Sequence, residues 1–167
     1  MKYLKHLTGY SVNIKARVLS LIKEEKLSSV LLKKYPVSHN IKSNKALYIY
    51  THEIKNNFLR NSAPLTKVIY DDNINALHQA LGLHSLIARV QGKKTKVKNE
   101  IRIDSVFKKA PEEFLKMIIT HELAHLKEKQ HNKAFYRLCE HMEPNYHQLE
   151  FDMRLYLTHL DLVGKLY

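Results

Sequence analysis

The sequence predicts an α+β protein with N-terminal helices, a small sheet containing a hairpin, and a C-terminal helical part. Apolar residues recur at helical spacing near both ends of the chain, whereas β-branched and strictly alternating runs are confined to its middle. Prolines and glycines fall where those patterns stop, at Pro36, Pro64, Gly82, Gly92, Pro144 and Gly164.

Residues 11–27 place Ile14, Val18, Leu21 and Ile22 on one stripe with lysines opposite, so an amphipathic helix starts near Ser11. A short helix over 29–34 stops before Pro36, because proline disfavours helical geometry in the residue ahead of it. Residues 37–44 read as a loop. Between Lys45 and Arg60, Leu47, Tyr50, Ile54 and Phe58 recur at helical spacing, and Asn61 to Pro64 ends that element. Lys67 to Tyr70 is the first strand, closed by the turn formers Asp71, Asp72 and Asn73. Residues 75–81 are expected to form a helical turn closed by Gly82. Leu83 to Val90 and Lys94 to Ile103 then flank Gln91, Gly92 and Lys93 as the arms of a hairpin. In the second arm Thr95, Val97, Asn99, Ile101 and Ile103 share one face, leaving Lys96, Lys98, Glu100 and Arg102 on a wet, basic one.

After Ala110, Pro111, Glu112 and Glu113 make a good helix start: proline suits the first helical position, and carboxylates suit the positive end of the dipole. That helix is expected to run through Phe114, Leu115, Ile118 and Ile119 to about Lys129. Two more, His131 to His141 and Asn145 to Val163, are separated by Pro144, and Gly164 ends the last. There is no internal repeat or low-complexity run, so residues 1–167 read as one domain.

No apolar run approaches the roughly 18 residues of a membrane span, and the start, MKYLKHLTGYSV, breaks its hydrophobicity too often for a signal peptide. The expected location is the cytoplasm, with no membrane partner. Cys139 is the single cysteine, which rules out an internal disulfide and multi-thiolate zinc sites, so any metal must be held by His and carboxylates. Lys and Arg outnumber Asp and Glu 28 to 16, a net charge of +12, distributed as +8 over residues 1–50, +4 over 51–100 and zero over 101–167. Such a surface suits an anionic partner, nucleic acid or a nucleotide, although surplus lysine also serves solubility alone. Oligomeric state is not legible.

Chemistry concentrates in the helix begun at Pro111, which contains His121, Glu122, Leu123, Ala124 and His125, an H-E-x-x-H motif. On an amphipathic helix, positions four apart lie one above the other, so both imidazoles can reach one zinc ion. Glu122 sits on the adjoining edge, where a carboxylate can reach water on the metal without being a ligand. The competing reading is a solvated face of ordinary His and Glu. Catalytic zinc takes three protein ligands and leaves a position for water. His131 is the expected third ligand. In an unbroken helix it would stand ~15 Å along the axis from His121, at about 1.5 Å per residue, so the helix must break near Lys129 and Gln130. The spacing H-E-x-x-H-x-x-x-x-x-H is that of metzincin peptidases, which have Gly where this chain has Glu128. A different reversal, with His131 at the start of the next helix, would serve. Otherwise Glu140, His141, Glu143 or His147 completes the set. Zinc on three neutral imidazoles, one ion per chain, would keep its 2+ charge and acidify a bound water, with Glu122 as the base that takes the proton. Tyr136, Arg137, Tyr146 and His141 are candidates to stabilise an oxyanion.

The stretch HELAHLKEKQHNKAFYRLCEHMEPNYHQ resembles the zinc-binding region of the YgjP-like family, small zincin-type zinc metallohydrolases related to the WLM and SprT-like metallopeptidases. The segments KALYIYTHEIKNNFLRN, KVIYDDNINALHQALGLHS and RVQGKKTKVKNEIRID also fit that family. The resemblance implies a zincin-like fold with His121, His125 and His131 as ligands and Glu122 as acid/base. It implies first a metallopeptidase with a peptide or protein substrate, acting on nucleic-acid-associated proteins as the WLM and SprT-like relatives suggest. A peptide could lie along Lys94 to Arg102 as an added strand. Two other readings stay open. The activated water could attack a phosphoryl group, making the chain a nucleotide or phosphoanhydride hydrolase, with Lys93, Lys94, Lys96 and Lys98 drawing in the anion but no Gly-rich phosphate loop to hold it. Alternatively, a structural zinc could support a non-catalytic nucleic-acid-binding module, in which Glu122 has no necessary role. His6, His39, His52, His78, His84 and His159 lack partners at ligand spacing, and Cys139 reads as a small buried residue.

Overall fold

Polar side chains start three helices in the computed structural model of the chain, which describes residues 2–74, 88–91, 94–97 and 99–167. Helix α1 (Val12–Lys23) begins where the Ser11 hydroxyl accepts from the Ile14 N–H. Helix α2 (Leu27–Lys34) stops short of Pro36, and α3 (Asn44–Phe58) begins where Ser43 accepts from the Ala46 N–H. Four strands follow among the described residues: β1 (Leu65–Asp71), β2 (Ala88–Gln91), β3 (Lys94–Val97) and β4 (Asn99–Asp104). After a 3₁₀ turn at Ser105–Lys109 come α4 (Glu112–Ala124), α5 (Lys133–Met142) and α6 (Tyr146–Leu162). The α+β class is thus realised, and no helix among the described residues is long and apolar enough to cross a membrane. The expected helical turn over 75–81, the segment 82–87 with the start of the hairpin's first arm, Gly92, Lys93 and Lys98 lie outside the described residues, as do the side chains of Lys94 and Lys96.

The hairpin forms, with β2 antiparallel to β3, but the single arm expected from Lys94 to Ile103 is divided between two sheets. β4 pairs instead in parallel with β1, Val68 opposite Ile101 and Tyr70 opposite Ile103. Alternation persists through the change of partner: Asn99, Ile101 and Ile103 are buried while Glu100, Arg102 and Asp104 are half-buried. The period-2 pattern therefore marks the faces of a strand and says nothing of which strand lies beside it. The start of α3 is tied to β1 by the Tyr70 N–H, which donates to Asn44 Oδ1 at 2.9 Å, and by the Tyr70 hydroxyl, which donates to the Ile41 carbonyl at 2.6 Å.

A second 3₁₀ segment, Lys2–Leu7, has no counterpart in the sequence pattern. It lies on α6, where the Arg154 guanidinium donates to the His6 carbonyl at 2.9 Å and His6 Nε2 meets Asp161 at 2.6 Å. Helix α4 also departs from expectation. Every residue from Met117 to Ala124 is buried, because β4, α3, α5 and α6 surround the helix rather than leaving one face to water. Only its first turn, with Glu112 and Glu113, is wet. The side chains of His121, Glu122 and His125 are thus buried, not set on a solvated face.

The loop before α3 is held by His39, whose Nε2–H donates to the Phe107 carbonyl at 2.7 Å and whose Nδ1 accepts the Ile41 N–H at 2.9 Å. Desolvation holds this imidazole below its ordinary pKa of 6.5, and does the same to His6, His52 and His159. Below pH 6.5 the unfolded chain therefore takes up protons that the folded chain refuses, so these groups contribute fully above 6.5 and lose their contribution as pH falls through the folded values. Each supplies a slope of at most about 1.4 kcal/mol per pH unit. Chemical denaturation of metal-free protein is expected to show stability falling from pH 7.5 to 5.5, and His39→Gln to flatten part of that fall. An unchanged slope in the variant would remove His39 from the account.

Candidate metal centre

His121 and His125 stand one turn apart on the same face of α4, with ring centroids 5.0 Å apart. The helix ends at Ala124, five residues earlier than expected, through tight turns in which the Leu126 N–H donates to the Leu123 carbonyl and the Lys127 N–H to that of Ala124. This early end brings the third histidine within reach. Among the described residues Glu25 is the one non-glycine residue with positive φ, so Glu128 makes the reversal without the left-handed backbone that favours glycine. The chain doubles back, Asn132 caps α5 by accepting the Phe135 N–H, and His131 just ahead of that cap points to the other two histidines.

The Nε2 atom of His131 lies 3.1 Å from Nε2 of His121 and 3.1 Å from Nε2 of His125. Nitrogens on a tetrahedral zinc with bonds of about 2.0–2.1 Å stand roughly 3.3 Å apart, so the triangle has the size that one such ion needs. Hydrogen bonds on the far side of the rings set their tautomers. The Nδ1–H of His125 donates to the Glu128 carbonyl at 2.9 Å, which puts a lone pair rather than a proton at Nε2. His121 Nδ1 meets the Tyr146 hydroxyl at 2.7 Å, and a ring whose Nε2 offers a lone pair to the cluster carries its proton on Nδ1, so the hydroxyl accepts from it. Lone pairs of neutral imidazoles repel at such separations unless a cation sits among them, and an all-imidazole set suits zinc and its transition-metal neighbours. His121, His125 and His131 therefore fit a metal ion, and among the described residues they form such a cluster.

The phenyl ring of Phe135, fully buried one turn into α5, lies 4.6–4.9 Å from all three imidazole centroids and fixes their orientation by packing. Glu122 is buried to 4% exposure between the two α4 histidines. The alternative third ligands lie elsewhere: Glu143 pairs with Lys116 at 2.6 Å, Glu140 with His147 at 3.1 Å, and the exposed His141 packs edge-on against Phe58. Of the candidates for oxyanion stabilisation, Arg137 is exposed and Tyr136 is half-buried with its ring 6.3 Å from that of His131. Tyr146 is 1% exposed and turned to His121 Nδ1, so its hydroxyl is not presented to an incoming substrate. Sequence reading missed Phe135, although its place four residues after His131 put both on one side of the helix expected from His131 to His141. It also missed the role of Tyr146, which no local spacing could reveal. Burial pushes the Cys139 thiol up to about 12, so it remains protonated, a small buried residue as its sequence context suggests.

Groups that hydrogen-bond the outer ring nitrogen of a metal-bound histidine typically contribute 10- to 100-fold in affinity. Tyr146→Phe removes the oxygen that receives His121 Nδ1–H, and it is expected to weaken zinc binding by about that factor with the fold intact. Competition against a chromophoric chelator measures it. Parent-like affinity would show that the contact is packing alone.

The family model described as YgjP-like, metallopeptidase domain, matches residues 38–155. The chain is also 57% identical over 162 residues, 97% of each chain, to the UTP pyrophosphatase of Escherichia coli (strain K12). No solved structure matches it significantly. A family match that spans more than half of the chain, joined by so similar a relative, means that this chain belongs to the YgjP-like family.

Proposed function

We propose that the chain is a zinc-dependent nucleoside triphosphate pyrophosphohydrolase, with UTP as its first candidate substrate. One zinc per chain is held by His121, His125 and His131, and Glu122 is the general base. The likeness to the UTP pyrophosphatase is the observation that supports this reading best, because its 57% identity extends over 97% of both chains. The net charge of +12, weighted toward the first 50 residues, suits a polyphosphate better than a general protein substrate. Sequence reading placed a peptide first and a phosphoanhydride second; the relative favours the reverse order.

Zinc bound at the three imidazoles would supply a 2+ charge that acidifies water and draws electrons from a phosphoryl oxygen. Glu122 accepts the proton of the attacking water. The water oxygen bonds to the α-phosphorus as the bond from that phosphorus to the α,β-bridging oxygen breaks. The electron pair leaves with pyrophosphate, and the proton passes from Glu122 to solvent or to the product, leaving UMP. Tyr146 and the Glu128 carbonyl hold the His121 and His125 rings in place, so the ligands need no reorganisation during the step. The description of the family model favours peptide hydrolysis as a second reading, in which the same base would serve an amide carbonyl.

Zinc-loaded protein given UTP in oxygen-18 water is expected to yield labelled UMP and unlabelled pyrophosphate by mass spectrometry. Label in pyrophosphate would move the attack to the β-phosphorus. Cleavage of denatured casein with no turnover of UTP would assign the site to peptides.

A further inference from the structure

A nucleotide hydrolase needs a place for the base and the phosphates that lie beyond the reacting bond. Three cavities open against the far part of α6, along Tyr156 to Val163. Tyr146, which touches His121, stands at the start of that helix. Ten or more residues separate it from those openings, on the order of 15 Å or more along the axis at ~1.5 Å per residue, so they do not adjoin the histidines. A fourth cavity, of about 420 Å³, is placed differently. Its walls are Asn56, Asn57, Phe58, Leu59, Arg60 and Asn61 from the end of α3 and the residues after it, and Lys127 from the turn that follows α4. Lys127 is two residues beyond His125, so their Cα atoms lie within about 7 Å of each other.

The chemistry of this wall is specific. Two cations and three carboxamides line it with no carboxylate among them, whereas the cavity by Lys5 and His6 is lined by Asp72, Asp104 and Asp161. Arg60 and Lys127 are exposed and can meet phosphate oxygens as they arrive. Each carboxamide carries both a donor and an acceptor. The hydrogen-bonding edge of uracil reads acceptor, donor, acceptor, which carboxamides satisfy throughout and which ammonium or carboxylate groups satisfy only in part. Phe58 is 39% exposed and offers an aromatic face of the kind on which bases stack. The volume also falls within the usual range of small-molecule sites.

We infer that the cleft between the end of α3 and the turn after His125 is the nucleotide-recognition subsite. Asn56, Asn57 and Asn61 read the uracil edge beside Phe58, and Arg60 with Lys127 binds the phosphates. This rests on the phosphoanhydride reading above, but it can fail independently. All six side chains lie outside the cluster of metal ligands, so the subsite can be tested on the metal-free protein by isothermal titration with UMP, uridine and inorganic tripolyphosphate.

Asn57→Ala/Asn61→Ala is expected to weaken UMP and uridine at least tenfold with little change for tripolyphosphate. Arg60→Ala/Lys127→Ala is expected to weaken UMP and tripolyphosphate at least tenfold with little change for uridine. These residues are exposed, and matched thermal melts check that the variants fold. Parent-like UMP affinity in both double variants would overturn the subsite, as would the absence of UMP binding in the parent protein. If the parent binds UMP and the variants lose it as described, yet zinc-loaded protein turns over no UTP, the subsite stands and the hydrolase reading fails.

Discussion

Glu122→Gln is expected to lower kcat for nucleotide hydrolysis by about 10²–10⁴-fold while zinc content and fold stay as in the parent chain. The amide keeps the shape of the carboxylate, so its substitution at a position only 4% exposed opens no cavity. It cannot take a proton, so attack must proceed from undeprotonated water. In the proposed site the metal would be held by three other side chains, so it should remain at one equivalent. Elemental analysis beside steady-state kinetics at saturating UTP checks both parts. Full turnover in the variant would end the assignment of Glu122 as base, and loss of metal would make it a ligand instead.

His131→Ala is expected to weaken zinc binding by more than 100-fold, because loss of a direct ligand should exceed the roughly 10- to 100-fold cost of losing a hydrogen bond to a ligand's outer ring nitrogen. His131 is half-buried and precedes the cap of α5, so the metal-free variant should fold. A ligand that binds only the folded state stabilises it by RT ln(1 + [L]/Kd), about 2.7 kcal/mol at a free concentration one hundred times Kd. Chelation should therefore lower the melting temperature of the parent protein and leave that of the variant nearly unmoved. Parent-like zinc affinity would transfer the third position to another residue, although Glu143 pairs with Lys116 and Glu140 meets His147 at 3.1 Å.

Features that depend on neighbours a few residues apart were legible. Ser11 caps the helix it was expected to start, Pro36 follows a helix end, and the two α4 histidines share a face because their spacing is one helical turn. The reach of His131 required a break in the helix, and its direction could be argued from the distance that an unbroken helix would impose. The place of that break was misjudged. The pattern runs on toward Lys129, whereas hydrogen bonds close the helix at Ala124.

The sequence by itself therefore determined the α+β class, the helix start at Ser11, the hairpin and the His121–His125 pair, all of which follow from backbone geometry repeated over one or two turns. Tertiary structure decided the rest. It paired β4 with β1 rather than extending the hairpin arm, surrounded α4 on every side, and set Tyr146 behind a histidine 25 residues away. It also placed Lys127 beside Asn57 and Arg60 in one cavity. Such contacts join segments distant in the chain, and periodicity marks only which face of a segment is buried. Which segment covers that face is settled when all the helices and strands compete for the same core.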